Sequence, residues 1–170
     1  MEVGRFLIGF EGLELGKHNY KFLVDDSFFK ELEYSDIQEG RIVVDAVFTK
    51  SIRLMEMDLN FNGEVIVPCD LCGENLVQKI DFEESLVIKT GSNQDQDDGI
   101  IILETGETEI NISHYLYESI SLSLPSKRVH KHIDGEPRCD EELLTMINSQ
   151  KDNDNNDEID PRWAELKKLK

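Results

Sequence analysis

Apolar and polar residues alternate along most of the chain between Arg41 and Lys89, which predicts strands. Arg41 to Lys50 carries Ile42, Val43, Val44, Val47 and Phe48, and Ser51 to Phe61 places Ile52, Leu54, Leu59 and Phe61 between charges. Asn62-Gly63 has the composition of a hairpin turn. A β-branched run, Val65-Ile66-Val67, then reads as a strand whose ladder pairing Pro68 ends. Leu76 to Lys89 alternates again through Ile80, Phe82, Leu86 and Ile88, and Ile100 to Leu103 resumes a strand. Upstream, residues 3–8 and 18–24 read as short strands around a turn-prone stretch holding Gly9, Gly12 and Gly16.

Helical spacing is rarer. Ser27 is placed to cap a short helix through Glu33, with Phe28, Phe29 and Leu32 on one side. Asn111 or Ser113 caps a segment to Leu124 in which Ile112, Tyr115, Leu116, Ile120 and Leu124 recur at helical intervals before Pro125. Asp140 to Ser149 predicts a further helix, its first turn acidic as the helix dipole favours. Near the end, Asp160 and Pro161 suit a cap and first position, and Trp163, Leu166 and Leu169 share a side. So short a helix is unstable alone in water and needs a surface to dock on, in its own domain or on a partner. These elements predict an α+β fold: mainly short antiparallel strands, in a partly barrel-like sheet, with two or three short helices. We expect one domain over residues 1–149 with a mobile acidic loop at 92–99, an acidic linker at 150–158 and a docking helix at 159–170.

Candidate chemistry concentrates where strand meets turn. In Cys69-Asp-Leu-Cys72-Gly73 two thiolates face one point from a tight turn between strands, the tip of a hairpin. Half of a tetrahedral site is present there, and the chain holds one more cysteine, Cys139, near His130 and His132. A zinc site of Cys69, Cys72, His130 and Cys139, with His132 as substitute for His130, follows from the ligand types. Cys-x-x-Cys alone also describes redox pairs and incidental thiols, and the His-to-Cys139 spacing is wider than in regular zinc fingers. A thiol–disulfide enzyme is therefore a competing reading, although such motifs open a helix in a βαβ setting and strands flank this one. Ser92 to Asp98 is acidic but lacks the loop and bidentate Glu of a calcium-binding EF-hand.

Charge narrows the partners. The net charge of −18 over 170 residues argues against a general nucleic-acid sleeve and favours basic partners. One stretch reverses the trend: Lys127, Arg128, His130, Lys131 and His132 cluster beside the proposed ligands, either an exposed loop offsetting its acidic neighbours or a phosphate contact. Met1-Glu-Val-Gly4 is unlike a signal peptide, and no apolar run approaches a membrane span, so no membrane is expected. Three cysteines do not make a disulfide framework, which points to a reducing cytoplasm. No Gly-rich phosphate loop, nucleophile elbow or His-Glu-x-x-His is present.

In order along the chain, the strand into Cys69-Asp-Leu-Cys72, the segment Ser121-Leu-Ser-Leu-Pro125, His130 with Cys139, and Asp160-Pro-Arg-Trp-Ala-Glu-Leu166 resemble the YceD family of large ribosomal RNA subunit accumulation proteins. The resemblance covers most of the chain beyond residue 40. His130 stands where many members carry the first of a run of cysteines, and Leu71 where an Arg is common. What the resemblance implies is a cytoplasmic, non-enzymatic ribosome-biogenesis factor that supports accumulation of large-subunit (23S) ribosomal RNA. Its partners would be that RNA or its precursor and a small basic large-subunit ribosomal protein; the candidate contacts are this chain's own basic patch, Lys127, Arg128 and Lys131, and Arg162 and Trp163 of the terminal helix. An acidic chaperone for one basic ribosomal protein is the alternative.

Overall fold

The computed structural model describes residues 5–32, 35–91, 100–104, 106–130, 139, 144–146 and 149. In chain order the elements are β1 (Leu7–Gly9), β2 (Gly16–Val24), α1 (Asp26–Lys30), β3 (Glu39–Lys50), β4 (Met55–Pro68), β5 (Asn75–Thr90), β6 (Ile100–Leu103), β7 (Glu109–Asn111) and α2 (Ser113–Ser123). Strands dominate and the helices are short, as expected of an α+β fold. The main sheet runs β2-β3-β4-β5-β6, and β1 pairs with β7 in a second, two-stranded sheet. The main sheet stays open, with β2 and β6 as edges. Its ladders are antiparallel except for β5 with β6, which is parallel. No described helix is long and apolar enough to cross a membrane.

Alternation builds the core. Along β4, Met55, Met57, Leu59 and Phe61 are buried while Glu56, Asp58, Asn60 and Asn62 are exposed. The buried face meets Ile42, Val44, Ala46 and Phe48 of β3 and Leu86 and Ile88 of β5, and Phe61 stacks on Phe82 with ring centroids 4.4 Å apart. Phe6, Phe22, Phe28 and Phe29 extend this core towards α1, and Leu116 and Ile120 of α2 are buried within it.

The strands are longer than the pattern suggests: β3, β4 and β5 have 12, 14 and 16 residues. The reason is that Asn62-Gly63 is not a turn. Both residues lie inside β4, with Gly63 paired to Ile42 on one side and Ile80 on the other. A Cβ at Gly63 would collide with the Arg41 carbonyl oxygen and lie 2.7 Å from Ile42 Cα, so this glycine permits a close backbone approach. The β3–β4 turn instead lies at 51–54, where the Ser51 N–H donates to the Leu54 carbonyl at 3.0 Å. Ser51 is the one residue of Ser51-Ile-Arg-Leu54 with a turn preference, no Gly, Pro, Asn or Asp accompanies it, and Ile52 is left almost wholly exposed. Nor does Pro68 end the pairing: it still lies opposite Asn75, and the Cys69 N–H donates beyond it to the Glu74 carbonyl.

The first helix begins earlier than expected because Asp25, not Ser27, is its cap. The Asp25 carboxylate accepts the Ser27 N–H at 3.1 Å and the Ser27 hydroxyl at 2.6 Å, and receives the Arg5 guanidinium at 2.5 Å. At α2, Asn111 Oδ1 accepts the Ser113 N–H at 2.9 Å, and an extended Leu124 before Pro125 closes the helix. Residues 144–146 and 149 are helical, within the span expected at 140–149; the rest of that span lies outside the described residues, as do the loop at 92–99, the linker and the docking helix.

Two outcomes follow from this packing. Replacing Gly63 with alanine forces backbone apart in the central ladder and is expected to cost about 1–3 kcal/mol, the range of core overpacking. Gly9→Ala, with nothing within 4 Å of the added carbon, is the control, and urea unfolding midpoints report both. Asp25→Ala removes a cap, at a cost of about 0.5–2 kcal/mol. The Arg5 side chain foremost, then the Ser27 hydroxyl, hold the Asp25 carboxyl well below the usual carboxylate range. A folded-state pKa below the unfolded one means the contribution is complete at neutral pH. It disappears as pH falls below the free value of about 3.9 towards the depressed one, so wild type and variant should converge in acid.

Candidate metal centre

The β4–β5 hairpin carries two cysteines to its tip. Past the Cys69–Glu74 bond the chain turns tightly: the Gly73 N–H donates to the Cys69 carbonyl at 2.9 Å, and Gly73 takes a φ of +75°, which a glycine adopts without strain. Cys69 is buried and Cys72 half-buried. The segment after α2 then runs back along this tip and is locked to it by Asp70. The Asp70 N–H donates to the Arg128 carbonyl at 2.7 Å, and the Asp70 carboxylate accepts the Arg128 N–H at 2.6 Å. The Arg128 guanidinium bridges Asp70 and Asp36, each at 3.4 Å. Two residues on, His130 is delivered to the cysteines.

His130 Nδ1 lies 3.5 Å from Cys72 Sγ and 3.4 Å from Cys139 Sγ, and the Cys69 and Cys139 sulfurs are 3.7 Å apart. All four donor atoms fall within 4.8 Å of one another. A tetrahedral ion with bonds of about 2.3 Å to sulfur and about 2.0–2.1 Å to nitrogen requires edges of about 3.8 Å (S···S) and about 3.5 Å (S···N). The cluster therefore has the size of a tetrahedral coordination sphere. His130 is also oriented as a ligand: its Nε2 is 3.2 Å from the Asn75 carbonyl oxygen. That bond is made with the proton on Nε2, so the Nδ1 lone pair faces the sulfurs. Cys69, Cys139 and His130 are only 3, 7 and 8 % exposed, which shields the site from water.

The two buried thiols differ electrostatically. Burial opposes ionisation of Cys69, but the backbone N–H groups of Cys72, Leu71 and His130 point at its sulfur and outweigh that, holding its pKa down to about 6. Cys139 lacks that set of donors; burial, together with its hydrogen bonds to the two neighbouring cysteines, raises it to about 11. Bringing such sulfurs together without a cation is unfavourable, and a divalent metal reverses the sign of the interaction. These four residues could hold a metal ion.

Of the residues singled out in the sequence, the structure brings together Cys69, Cys72, His130 and Cys139. Lys127 is exposed beside them, whereas Arg128 is spent on Asp36 and Asp70, its side chain 19 % exposed. His132, Lys131, Arg162 and Trp163 lie outside the described residues. The supporting Asp70, Asn75 and Asp36 are not apparent from the sequence. Asp70 alone has a signal, its place between the two cysteines; Asn75 acts through its backbone and Asp36 from another part of the chain.

No curated protein and no solved structure matches the chain. The family described as "Large ribosomal RNA subunit accumulation protein YceD" matches residues 57–170, a stretch that takes in most of β4, all of β5, and the four donors. With two thirds of its length matched, and the matched part holding the hairpin and the cluster it carries, the chain belongs to the YceD family.

Proposed function

We propose that this protein is a non-catalytic, cytoplasmic factor that supports accumulation of large-subunit ribosomal RNA, with a structural zinc ion held by Cys69, Cys72, His130 and Cys139. Family membership supports the ribosomal role, and the closed donor set supports the zinc. Four protein donors leave no open position for a reactive water, which is the mark of a structural rather than a catalytic zinc. Three thiolates with one imidazole suit zinc better than calcium or magnesium, which prefer oxygen. A thiol–disulfide role is disfavoured because the Cys-x-x-Cys lies on a hairpin tip, with His130 and Cys139 packed onto its sulfurs.

Energetically the ion would be a clasp. The donors it joins are 58 to 70 residues apart in sequence. Closing a loop of that length costs on the order of 4 kcal/mol of chain entropy. Structural zinc supplies about 10–16 kcal/mol in small zinc domains, enough to offset that cost and still hold the hairpin tip to the later part of the chain.

The family's ribosomal role has to be carried on a surface whose net charge is −18. A polyanion can approach only where that charge is locally reversed, and the exposed Lys127, three residues before His130 and four before Lys131 in sequence, marks such a place. Arg162 and Trp163 offer a second contact through the C-terminal segment. Elsewhere the acidic surface favours a basic ribosomal protein as partner.

Untagged protein should contain one zinc per chain by elemental analysis. Cys139→Ser should lose most of that metal and melt several degrees lower; unchanged metal content and melting would refute the site. Cells depleted of the protein should contain less 23S ribosomal RNA than 16S, with the protein migrating among large-subunit precursors on sucrose gradients. If nuclease treatment leaves it bound to a single basic ribosomal protein and RNA levels are normal, the chaperone alternative is correct instead.

A further inference from the structure

The sheet ends unevenly beside β5. That strand has 16 residues, yet β6 pairs only with Val87–Thr90 at one end, and at the other the Asn75 carbonyl is engaged by His130. Among the described residues, no strand or loop backbone bonds to the outer side of β5 between Leu76 and Leu86. Long bare edges invite pairing, and folded proteins guard them with charge, bulges or a covering element. The guard here has a dominant sign: Asp81, Glu83 and Glu84 against Lys79.

Asp81 and Glu83 point to solvent, but Glu84 does not. The register sets it opposite Leu59, on the core side of the sheet, and its Oε2 is closed off from solvent with no hydrogen-bond partner among the described residues. A shielded carboxylate oxygen without a donor is unfavourable and is relieved by a cation. This inward acid disfavours a neutral strand laid along the edge, which would bury it further. An acidic strand or a nucleic acid is repelled by all three carboxylates. A strand that brings a lysine or arginine to Glu84 satisfies both the bare backbone groups and the bare oxygen.

We propose that the Leu76–Leu86 edge of β5 receives an extended, basic polypeptide segment of a partner protein, which adds as a strand and places a cation on Glu84. Main-chain hydrogen bonds supply the attachment and the acidic side chains the selectivity, as in other strand-addition complexes. The inference stands on the sheet edge and not on the metal clasp or the ribosomal RNA phenotype, so its failure would leave those intact.

The test uses the full-length chain as purified, with a decapeptide of alternating lysine and valine and a fully N-methylated analogue of identical charge. Anisotropy titration should show binding of the first and at least tenfold weaker binding of the second, and amide shifts in nitrogen-15 spectra should concentrate on Leu76–Leu86. Glu84→Gln, nearly isosteric, should weaken the first peptide about tenfold while melting no lower than the wild type. Failure of the first peptide to bind, equal binding of both, shifts centred elsewhere, or unaltered affinity in Glu84→Gln would each overturn the proposal.

Discussion

One strand, β4, is hydrogen-bonded on both sides along nearly its whole length, and the placement of everything else depends on that double ladder. Its pairing with β3 runs from Met55–Lys50 to Ile66–Glu39, and with β5 from Met55–Ile88 to Pro68–Asn75. Because side chains alternate strictly, a one-residue slip on either side would move Met57, Leu59 and Phe61 out of the core together. The core thereby fixes the register. The register in turn decides where the hairpin ends, and so where Cys69 and Cys72 stand. Gly63 is the point at which β3 comes too close for any side chain, so the close contact between β3 and β4 rests on the absence of one carbon.

The Cys/His cluster inherits its accuracy from this frame. Its hairpin cysteines are positioned by a ladder of backbone bonds, while the buried His130 is held by the contact of its ring with Asn75 and by the tie of Arg128, two residues before it, to Asp70. Arg128 thus acts within the fold, holding the Asp36 segment and the hairpin tip to one another. In a chain so rich in carboxylates, a guanidinium beside two of them is satisfied locally and has little left for a partner. The neighbouring Lys127 has no such engagement among the described ion pairs and remains exposed.

How much of this could be read beforehand follows from the range of each interaction. The strands β3 and β5, helix α2 and the hairpin placement of the cysteines were legible because period and composition are local. So was the gathering of Cys69, Cys72, His130 and Cys139, because cysteine and histidine are few and their chemistry narrows the choice. The turn was misread because Asn62-Gly63 carries the usual hairpin composition, yet its glycine answers to Arg41 and Ile42 across the sheet. Ser51-Ile-Arg-Leu54 turns with only Ser51 to favour it because two long ladders must join there. The cap of α1 was misplaced by two residues because Asp25 competes with Ser27 for the same role, and Arg5, twenty residues away, favours the aspartate. The parallel attachment of β6 has no local signature at all.

The family likeness begins at residue 57, two residues into β4. The matched stretch and the folded sheet therefore have different boundaries in this chain. The related stretch holds β4, β5 and the cluster, but the strand that covers β4's other side comes from the unmatched part. A fragment cut at the limit of the likeness would expose the backbone of the central strand along the row where Gly63 meets Arg41. The matched stretch thus carries the cysteines and the hairpin that presents them, but in this chain the strand that completes the sheet beside β4 comes from the first 56 residues.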